Sequence, residues 1–152
     1  MFYLIILLHN QMTNIQPIKI FVSGKFADKP LIKTKMTELQ ELGYILTHDW
    51  TIHETNHNGV SNKTNAAIND INGIKACDIQ IIIISDDKYP YRGTFTELGC
   101  SLGLEKQVLI LCSFKKAYCM TNPFYYHPLV KHYESWSDLL VELELESKKL
   151  KN

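Results

Sequence analysis

Glu97 occupies the position in this chain that best suits covalent chemistry, because it follows a strand pattern typical of a buried sheet. Four consecutive isoleucines, Ile81 to Ile84, end at the turn residues Ser85-Asp86-Asp87, and Thr94 to Leu104 is predicted to form the next helix. Glu97 would then lie in the first helical turn, in the crevice where open α/β sheets bind ligands. A helix amino terminus lowers the pKa of a carboxylate, and an ionised carboxylate there could attack the anomeric carbon of a sugar.

A simpler interpretation of Glu97 is structural. The pattern Thr94-x-x-Glu97 fits a capping box, in which the glutamate bonds back to the amide of the cap residue. In the chemical interpretation, Gly93 and the first amides of the helix could also hold a hydroxyl or a phosphate of a ligand. The local pattern leaves both interpretations open.

A second pattern, His53-Glu54-Thr55-Asn56-His57, matches the zinc-protease motif, which requires both histidines on one helical face. Its flanking residues are poor helix formers, so we predict a loop from His53 to Asn62 and no metal site. The glycine-rich loops of dinucleotide-binding and P-loop proteins do not follow the first predicted strand.

Composition excludes several classes of protein. The 152 residues include 16 basic and 16 acidic side chains, so we expect one domain without a charge field for nucleic acid or a membrane. The cysteines lack metal-type spacing, which predicts reduced, mostly buried thiols of an intracellular, cytoplasmic protein. The apolar opening Met1 to Leu8 is too short to span a bilayer and lacks signal-peptide features. We therefore expect an extension over residues 1–16 and a domain over residues 17–148. We expect the extension to be disordered, or its first part, Met1 to Gln11, to precede a true start at Met12.

Strand and helix patterns alternate along this domain. The predicted strands are Ile18–Val22, Tyr44–Thr47, Ile79–Ser85 and Val108–Cys112. The predicted helices run from Asp28 or Pro30 to Leu42, from Ser61 to Cys77, from Thr94 to Leu104, and from the capping box Ser135-Trp136-Ser137-Asp138 to about Leu145. Phe114 to His132 is aromatic and irregular. The alternation predicts a three-layer α/β sandwich around a mostly parallel, flavodoxin- or Rossmann-like sheet of four to five strands.

Small and polar residues end the first two predicted strands at the same edge as Glu97. Ser23 and Gly24 close the first strand, where a glycine lets the backbone turn close to a ligand. Asp49 and Trp50 follow the second strand and could contact a bound ligand. Each pair is explained equally well by a tight turn, with a satisfied aspartate and a partly buried tryptophan.

Two separated motifs resemble the nucleoside 2-deoxyribosyltransferase family. They are Asn69-Asp70-Ile71-Asn72-Gly73-Ile74-Lys75-x-x-Asp78-Ile79 and Gly93-Thr94-x-x-Glu97-Leu98-Gly99. Three further stretches are similar to a bacterial subgroup of that superfamily: Phe21-Val22-Ser23-Gly24, Asp49-Trp50-Thr51 and Phe124-Tyr125-x-His127-Pro128-Leu129-Val130. The resemblance covers most of residues 18–145.

The resemblance implies a covalent mechanism without metal or organic cofactor, acting in nucleotide salvage. Glu97 matches the nucleophile that takes the deoxyribosyl group, and Asp70 matches an acid that helps to protonate the departing base. Without the family pattern, Asp70 would be interpreted as a solvated helix residue. The implied substrate is a small nucleoside or nucleotide, not a nucleic acid polymer. The implied assembly is a homo-oligomer in which a neighbouring subunit completes the pocket, with candidates Asn122, Tyr125, Tyr126 and His127. Aromatic packing of a return strand explains these four residues equally well.

One position departs from the family pattern. Transferases of the family carry a second, base-contacting aspartate shortly before the nucleophile, where this chain has Tyr91. Tyr91 could stack on a base and Arg92 could reach a 5′-phosphate or a base carbonyl; the simpler interpretation is an exposed loop pair. The departure raises two alternatives to transfer: hydrolysis of nucleoside monophosphates, and a nucleotide-binding module that has lost catalysis.

Overall fold

The computed structural model describes residues 16–53 and 60–151. Within these ranges the chain forms five strands and four α-helices. The strands are β1 (Lys19–Gly24), β2 (Ile45–Leu46), β3 (Ile79–Ile84), β4 (Gln107–Cys112) and β5 (Val130–Tyr133). The helices are α1 (Lys29–Glu41), α2 (Val60–Ala76), α3 (Arg92–Gly103) and α4 (Trp136–Lys151). Short 3-10 helices lie at Phe26–Asp28, Trp50–Ile52, Tyr118–Thr121 and Pro123–Tyr126.

The five strands form one parallel sheet in the order β2-β1-β3-β4-β5. This is the flavodoxin-like order, in which the chain changes direction across the sheet between β1 and β3. The register pairs Ser23 with Ile82 and Gly24 with Ile83, so β1 and β3 end side by side. The predicted α/β fold is therefore confirmed, and the crevice for a ligand is expected beyond these two strand ends.

The core lies on both faces of β3, whose six residues are all buried. Ile79, Ile81 and Ile83 pack in a cluster with apolar residues of α1 and α4. On the opposite face, Ile82 and Ile84 pack with Leu98 of α3. Burial on both faces explains the nearly continuous apolar run in the sequence, and it produces the three layers that the alternating pattern predicts.

Several element boundaries differ from the predictions. Helix α3 begins at Arg92 rather than Thr94, because Tyr91 adopts a left-handed backbone conformation (φ 47°) and its carbonyl accepts the first helical hydrogen bond from the Phe95 amide at 2.9 Å. Helix α4 continues to Lys151 instead of ending near Leu145. Strand β5 overlaps the end of the segment predicted to be irregular, where pairing with β4 supplies order that the local pattern does not indicate.

The predicted start of the last helix and the predicted burial of most cysteines agree with the structure. The Ser135 hydroxyl accepts a hydrogen bond from the Asp138 amide at 3.1 Å, which fits the predicted start of α4. The cysteines are free: Cys77, Cys112 and Cys119 are buried, and Cys100 is half-buried. In the described ranges, no helix combines the length and apolar character that crossing a membrane requires. The predicted extension, apart from Gln16, and most of the predicted loop from His53 to Asn62 lie outside the described residues.

Gly73 determines how closely α2 approaches the sheet. A Cβ atom at this position would lie 2.8 Å from Cδ2 of Phe21 and 2.9 Å from Cβ of His48. Phe21 is fully buried on β1, and His48 follows β2 at the edge of the sheet. The absence of a side chain at Gly73 therefore lets α2 pack against both residues.

We expect Gly73→Ala to lower the free energy of unfolding by about 1–3 kcal/mol, because the added methyl group overpacks a buried contact. Gly99→Ala is the matched control, since a Cβ there meets nothing within 4 Å. It should raise stability by up to about 1 kcal/mol, as expected for alanine replacing glycine inside a helix. Urea denaturation measures both, and equal stability of the two variants would contradict this account of the packing.

Candidate active site

A cavity of about 180 Å³ lies at the carboxyl ends of β1 and β3. Its walls come from the segments after β1 and β2, from α2 and from the start of α3. The lining residues are Gly24, Phe26, His48, Trp50, His53, Ala66, Asp70, Tyr89, Tyr91, Gly93, Thr94 and Glu97. The position matches the ligand crevice of open parallel sheets, and the size suits part of a small molecule.

Glu97 lies in the second turn of α3 and its side chain is half-buried in the cavity wall. Burial raises the pKa of its carboxyl group to about 7; a hydrogen bond with the Ser23 side chain lowers this pKa, and the charge of Asp70 raises it further. The sequence-based expectation of a lowered pKa is therefore wrong. Loss of water around the carboxylate outweighs the helix amino terminus, whose influence is confined to the first turn.

The predicted capping box at Thr94 is also absent. Tyr91 occupies the cap position, so Thr94 is the third residue of α3, and its side-chain hydroxyl donates to the Gly24 carbonyl at 3.4 Å. This bond joins α3 to the end of β1. The structural interpretation of Glu97 as a capping residue is accordingly wrong, and its carboxyl group is engaged with Ser23 instead.

Ser23 does not line the cavity but lies directly behind Glu97 on β1, where it is almost fully buried. Its hydroxyl oxygen also accepts a hydrogen bond from the Gln80 side-chain amide at 2.8 Å. Gln80, on β3, is completely buried. The carboxyl group of Glu97 is therefore connected through Ser23 to a polar side chain inside the sheet.

Asp70 reaches the same cavity from α2. Its side chain is 26% exposed, and Oδ1 lies 3.7 Å from Nε2 of His48. Its charge raises the pKa of Glu97, which lines the same cavity. Asp70 therefore faces the cavity, in contrast to the solvated helix residue of the simpler interpretation.

Aromatic rings form the wall of the cavity near β1 and β2. The rings of Phe26 and Trp50 are stacked, with centroids 6.1 Å apart and an interplanar angle of 20°. The Trp50 indole donates to the Val22 carbonyl at 2.7 Å, which fixes its position against β1. Flat apolar surfaces of this kind suit the stacking of a planar ring.

Tyr91 lines the cavity but is anchored in the core. Its ring is 1% exposed, and its hydroxyl oxygen accepts hydrogen bonds from the amides of Ser85 at 2.8 Å and Asp86 at 3.0 Å. The Tyr89 ring packs edge-on against it, with centroids 4.9 Å apart. The interpretation of Tyr91 as an exposed loop residue is wrong. The adjacent Arg92 is exposed and does not line the cavity.

Asp49 also lies outside the cavity lining. Its carboxylate accepts from the Thr51 amide at 3.1 Å and is ion-paired with Lys33. Partial burial acts to raise the pKa of Asp49, but the bonds from Lys33 and Thr51 outweigh it and lower the pKa. These contacts fit the satisfied turn aspartate that the sequence left as an alternative.

The four candidates for contact with a neighbouring subunit do not line the cavity. Asn122 accepts from the Phe124 amide at 3.0 Å, and Nδ1 of His127 accepts from the Leu129 amide at 3.2 Å. Tyr125 is buried and stacks on His132, with ring centroids 4.3 Å apart. Tyr126, in contrast, is 63% exposed.

The zinc-protease motif lies mostly outside the described residues, since Glu54 to His57 are not among them. His53 itself follows a 3-10 helix in an extended backbone conformation, not in an α-helix. Among the described residues, no group of three or more histidine, cysteine, aspartate or glutamate side chains could hold a metal ion.

The sequence-based site omitted several lining residues. Those residues are Phe26, His48, His53, Ala66 and Tyr89. His48 carried a usable signal, because it follows the second predicted strand at the ligand edge, directly before Asp49. Ala66 and Tyr89 carried none, because their approach to the cavity depends on how α2 and the loop before α3 pack.

Residues 21–151 match the family model for nucleoside 2-deoxyribosyltransferase. The structure is similar to that of a 2-deoxyribosyltransferase from Bacillus psychrosaccharolyticus, with 22% identity, a TM-score of 0.61, and coverage of 80% of this chain and 89% of that one. It is similar to the CMP N-glycosidase of Clostridium botulinum, with 21% identity, a TM-score of 0.55, and coverage of 84% and 98%. It is also similar to a 2-deoxyribosyltransferase from Leishmania mexicana, with 18% identity, a TM-score of 0.55, and coverage of 84% of this chain and 97% of that one. The comparison with curated proteins gives no match.

The raised pKa of Glu97 predicts that its buried carboxylate lowers the free energy of unfolding at high pH. The folded pKa of about 7 lies above the ordinary value of 4.5, so the stabilising contribution of the proton is present below pH 4.5 and is lost as pH rises through 7. We expect Glu97→Gln to raise the free energy of unfolding by about 1–3 kcal/mol at pH 8, and by less than about 1 kcal/mol at pH 5. Chemical denaturation at both pH values measures the difference.

Glu41→Gln, at an exposed position on α1, is the control and should leave the free energy of unfolding unchanged at both pH values. A Glu97→Gln variant with the same stability as the natural protein at pH 8 would contradict the burial of this carboxylate.

Proposed function

The chain belongs to the nucleoside 2-deoxyribosyltransferase family, and we propose that it breaks the N-glycosidic bond of a 2′-deoxynucleoside or its 5′-monophosphate. The observation that carries the proposal is the pair of carboxyl groups, Asp70 and Glu97, which line one cavity and interact electrostatically. Retaining cleavage of a glycosidic bond needs two such groups, one as nucleophile and one as proton donor.

In the proposed reaction, an ionised Glu97 oxygen attacks C1′ of the sugar. The bond from C1′ to the base nitrogen breaks, its electron pair stays on the base, and Asp70 supplies the proton that neutralises the base. The resulting glycosyl ester on Glu97 is then attacked at C1′ by another base or by water. In that second step the attacking water or base gives up a proton to Asp70, so the carboxylate of Glu97 and the acid form of Asp70 are both restored and the cycle closes without metal or organic cofactor.

The other residues of the proposed site have supporting roles. The stacked rings of Phe26 and Trp50 offer an apolar surface to the base. Gly24, Gly93 and Thr94 line the cavity next to Glu97, where they can contact the sugar or its 5′ group. Ser23 acts behind Glu97 through its hydrogen bond.

Hydrolysis by water is the second candidate outcome, and Tyr91 is the observation that favours it. Its hydroxyl is already bonded to two backbone amides, so this position offers the base only a ring edge or face. A base-contacting carboxylate, which the family's transferases carry there, would help to bind an acceptor base. Water needs no such contact.

Lys29 supports a monophosphate as substrate. Its ammonium group lies 4.2 Å from the Phe26 ring centroid and donates to the His53 carbonyl, and both of these residues line the cavity. A cation at the mouth of the cavity would attract a 5′-phosphate. Arg92 is exposed at the amino terminus of α3, close enough in sequence to Gly93 to add to this attraction.

We also propose that the protein is a homo-oligomer. Tyr118, Phe124 and Tyr126 are more than half exposed on neighbouring 3-10 helices, which is the kind of apolar surface that a second copy would cover. Sedimentation of the purified chain gives the oligomeric state.

Incubation with 2′-deoxynucleosides and their 5′-monophosphates, with and without a second base, should release free base or an exchanged nucleoside that chromatography detects. Glu97→Gln should slow product formation by at least about a thousandfold, because the attacking carboxylate is lost. Glu41→Gln is the matched control. Intact-mass analysis of quenched reactions should find a deoxyribosyl adduct on the natural protein and not on Glu97→Gln.

Unchanged substrate across the whole panel would overturn the enzymatic proposal. Binding of the same compounds without cleavage would then favour the non-catalytic nucleotide-binding module.

The pH dependence of kcat/KM offers an independent check. Attack requires ionised Glu97, whose pKa in the free protein is about 7, so kcat/KM should fall as the pH drops below 7 and approach a tenfold loss per pH unit at lower pH. Asp70 interacts with Glu97, so the apparent pKa belongs to the pair. A profile that is flat between pH 5 and 7 would exclude Glu97 as the titrating nucleophile.

A further inference from the structure

We propose that Gln80 is a positioning residue for Glu97: its side-chain amide donates to the Ser23 hydroxyl, and this directs the proton of that hydroxyl onto the Glu97 carboxylate. The proposal rests on the proposed function for its consequence in catalysis. Its structural core, the control of one carboxyl group by a buried amide, is testable without any substrate.

The sheet register brings the two side chains together. Gln80 pairs with Phe21 across the β1–β3 ladder, and Ser23 pairs with Ile82. Residues two apart on a strand point to the same face, so Gln80 and Ser23 are diagonal neighbours on the face covered by α3. The 2.8 Å distance between Nε2 of Gln80 and Oγ of Ser23 is that of a good hydrogen bond.

The direction of each hydrogen bond follows from what each group can donate. An ionised carboxylate can only accept, so the Ser23 hydroxyl must donate to Glu97. The same hydroxyl has a single proton, so its other partner must be a donor, and the Gln80 amide nitrogen supplies that donor. When Gln80 donates to the Ser23 oxygen, the Ser23 hydroxyl proton is left to point at Glu97. This single orientation of the hydroxyl makes both hydrogen bonds and stabilises ionised Glu97.

Gln80 is a poor choice for packing alone. It is completely buried, and its Oε1 atom has no hydrogen-bond partner among the described residues. The other five residues of β3 are isoleucine, and burial of an unpaired amide oxygen destabilises a core. An apolar side chain would fill the space without that penalty. The favourable contact that Gln80 makes here is therefore the hydrogen bond from its amide nitrogen to Ser23.

Other titratable groups line the same cavity as Glu97, and their influence has to be separated from that of Gln80. Asp70 comes from α2, His48 and His53 follow β2, and Tyr89 and Tyr91 precede α3. All of these belong to the cavity lining, whereas Gln80 contacts Ser23 from within the sheet and does not line the cavity. A substitution of Gln80 therefore leaves the cavity lining intact.

The test is the pKa of the Glu97 carboxyl group, followed by carbon-13 NMR of the unliganded protein, with Glu97→Gln used to assign the resonance. Gln80→Met removes the donor at similar volume, and we expect it to raise the pKa of Glu97 by roughly half a unit to one unit. Gln80→Leu, which also lacks a donor, is measured beside it in case one variant folds poorly. Thermal unfolding confirms that the variants are folded.

A double-mutant cycle decides whether Gln80 acts through Ser23. Ser23→Ala should raise the pKa of Glu97 by at least as much as Gln80→Met, and adding Gln80→Met to Ser23→Ala should produce no further shift. Additive shifts would overturn the proposal, and so would a Gln80→Met variant with an unchanged pKa.

The activity assay then tests whether the pKa shift of Glu97 changes the pH dependence of the reaction. In Gln80→Met the acid limb of kcat/KM should move to higher pH by the same amount as the pKa, while activity at pH 9 stays within about twofold of the natural protein. A purely structural role for Gln80 would lower activity equally at every pH. If no substrate is cleaved, the proposed function is overturned. The role of Gln80 is then decided by NMR alone: a raised pKa of Glu97 in Gln80→Met supports it, and an unchanged pKa overturns it.

Discussion

The site depends on the balance between the burial of Glu97 and the one hydrogen bond from Ser23 that opposes its effect. Burial removes water from the carboxylate and raises its pKa, while the Ser23 bond and the charge of Asp70 act in opposite directions on that value. The result is a pKa of about 7, at which both protonation states are populated at neutral pH. A carboxylate with this pKa is a stronger base than an exposed glutamate, yet it is still ionised often enough to act as a nucleophile.

The topology of the sheet creates that balance. The order β2-β1-β3-β4-β5 places the ends of β1 and β3 side by side, and α3 returns from β3 across this gap. Thr94 bonds to the Gly24 carbonyl at the end of β1, which holds the start of α3 over the gap. The side chain of Glu97, one turn further along α3, is therefore held close enough to Ser23 to form a hydrogen bond. Gly73 allows α2 to approach from the other side and to bring Asp70 to the same space.

Sequence patterns predicted the layers of the fold and the edge of the sheet at which the site lies. Strand β3 was evident because burial on both faces leaves a continuous apolar run, whereas β5 was not, because its pairing partner, not its own pattern, orders it. The start of α3 was misplaced because the left-handed conformation of Tyr91 depends on the burial of its ring, which no local pattern reveals. The direction of the Glu97 pKa shift was wrong for a related reason. Helix position can be derived from sequence, but desolvation depends on which side chains surround the carboxylate.

The two faces of the sheet differ in polarity: one packs an apolar cluster, and the other carries the buried polar side chains. The face covered by α1 and α4 carries an apolar cluster that includes Ile20, Ile81 and Leu139. The face covered by α2 and α3 carries Ser23 and Gln80, and two buried polar atoms without partners among the described residues, Oε1 of Gln80 and Oγ of Ser101, belong to this side. Ser101 is one helical turn beyond Glu97, on the same face of α3. Unpaired buried groups destabilise a fold, so their location behind Glu97 is what the proposed reaction would lead us to expect, with the opposite face supplying the stability.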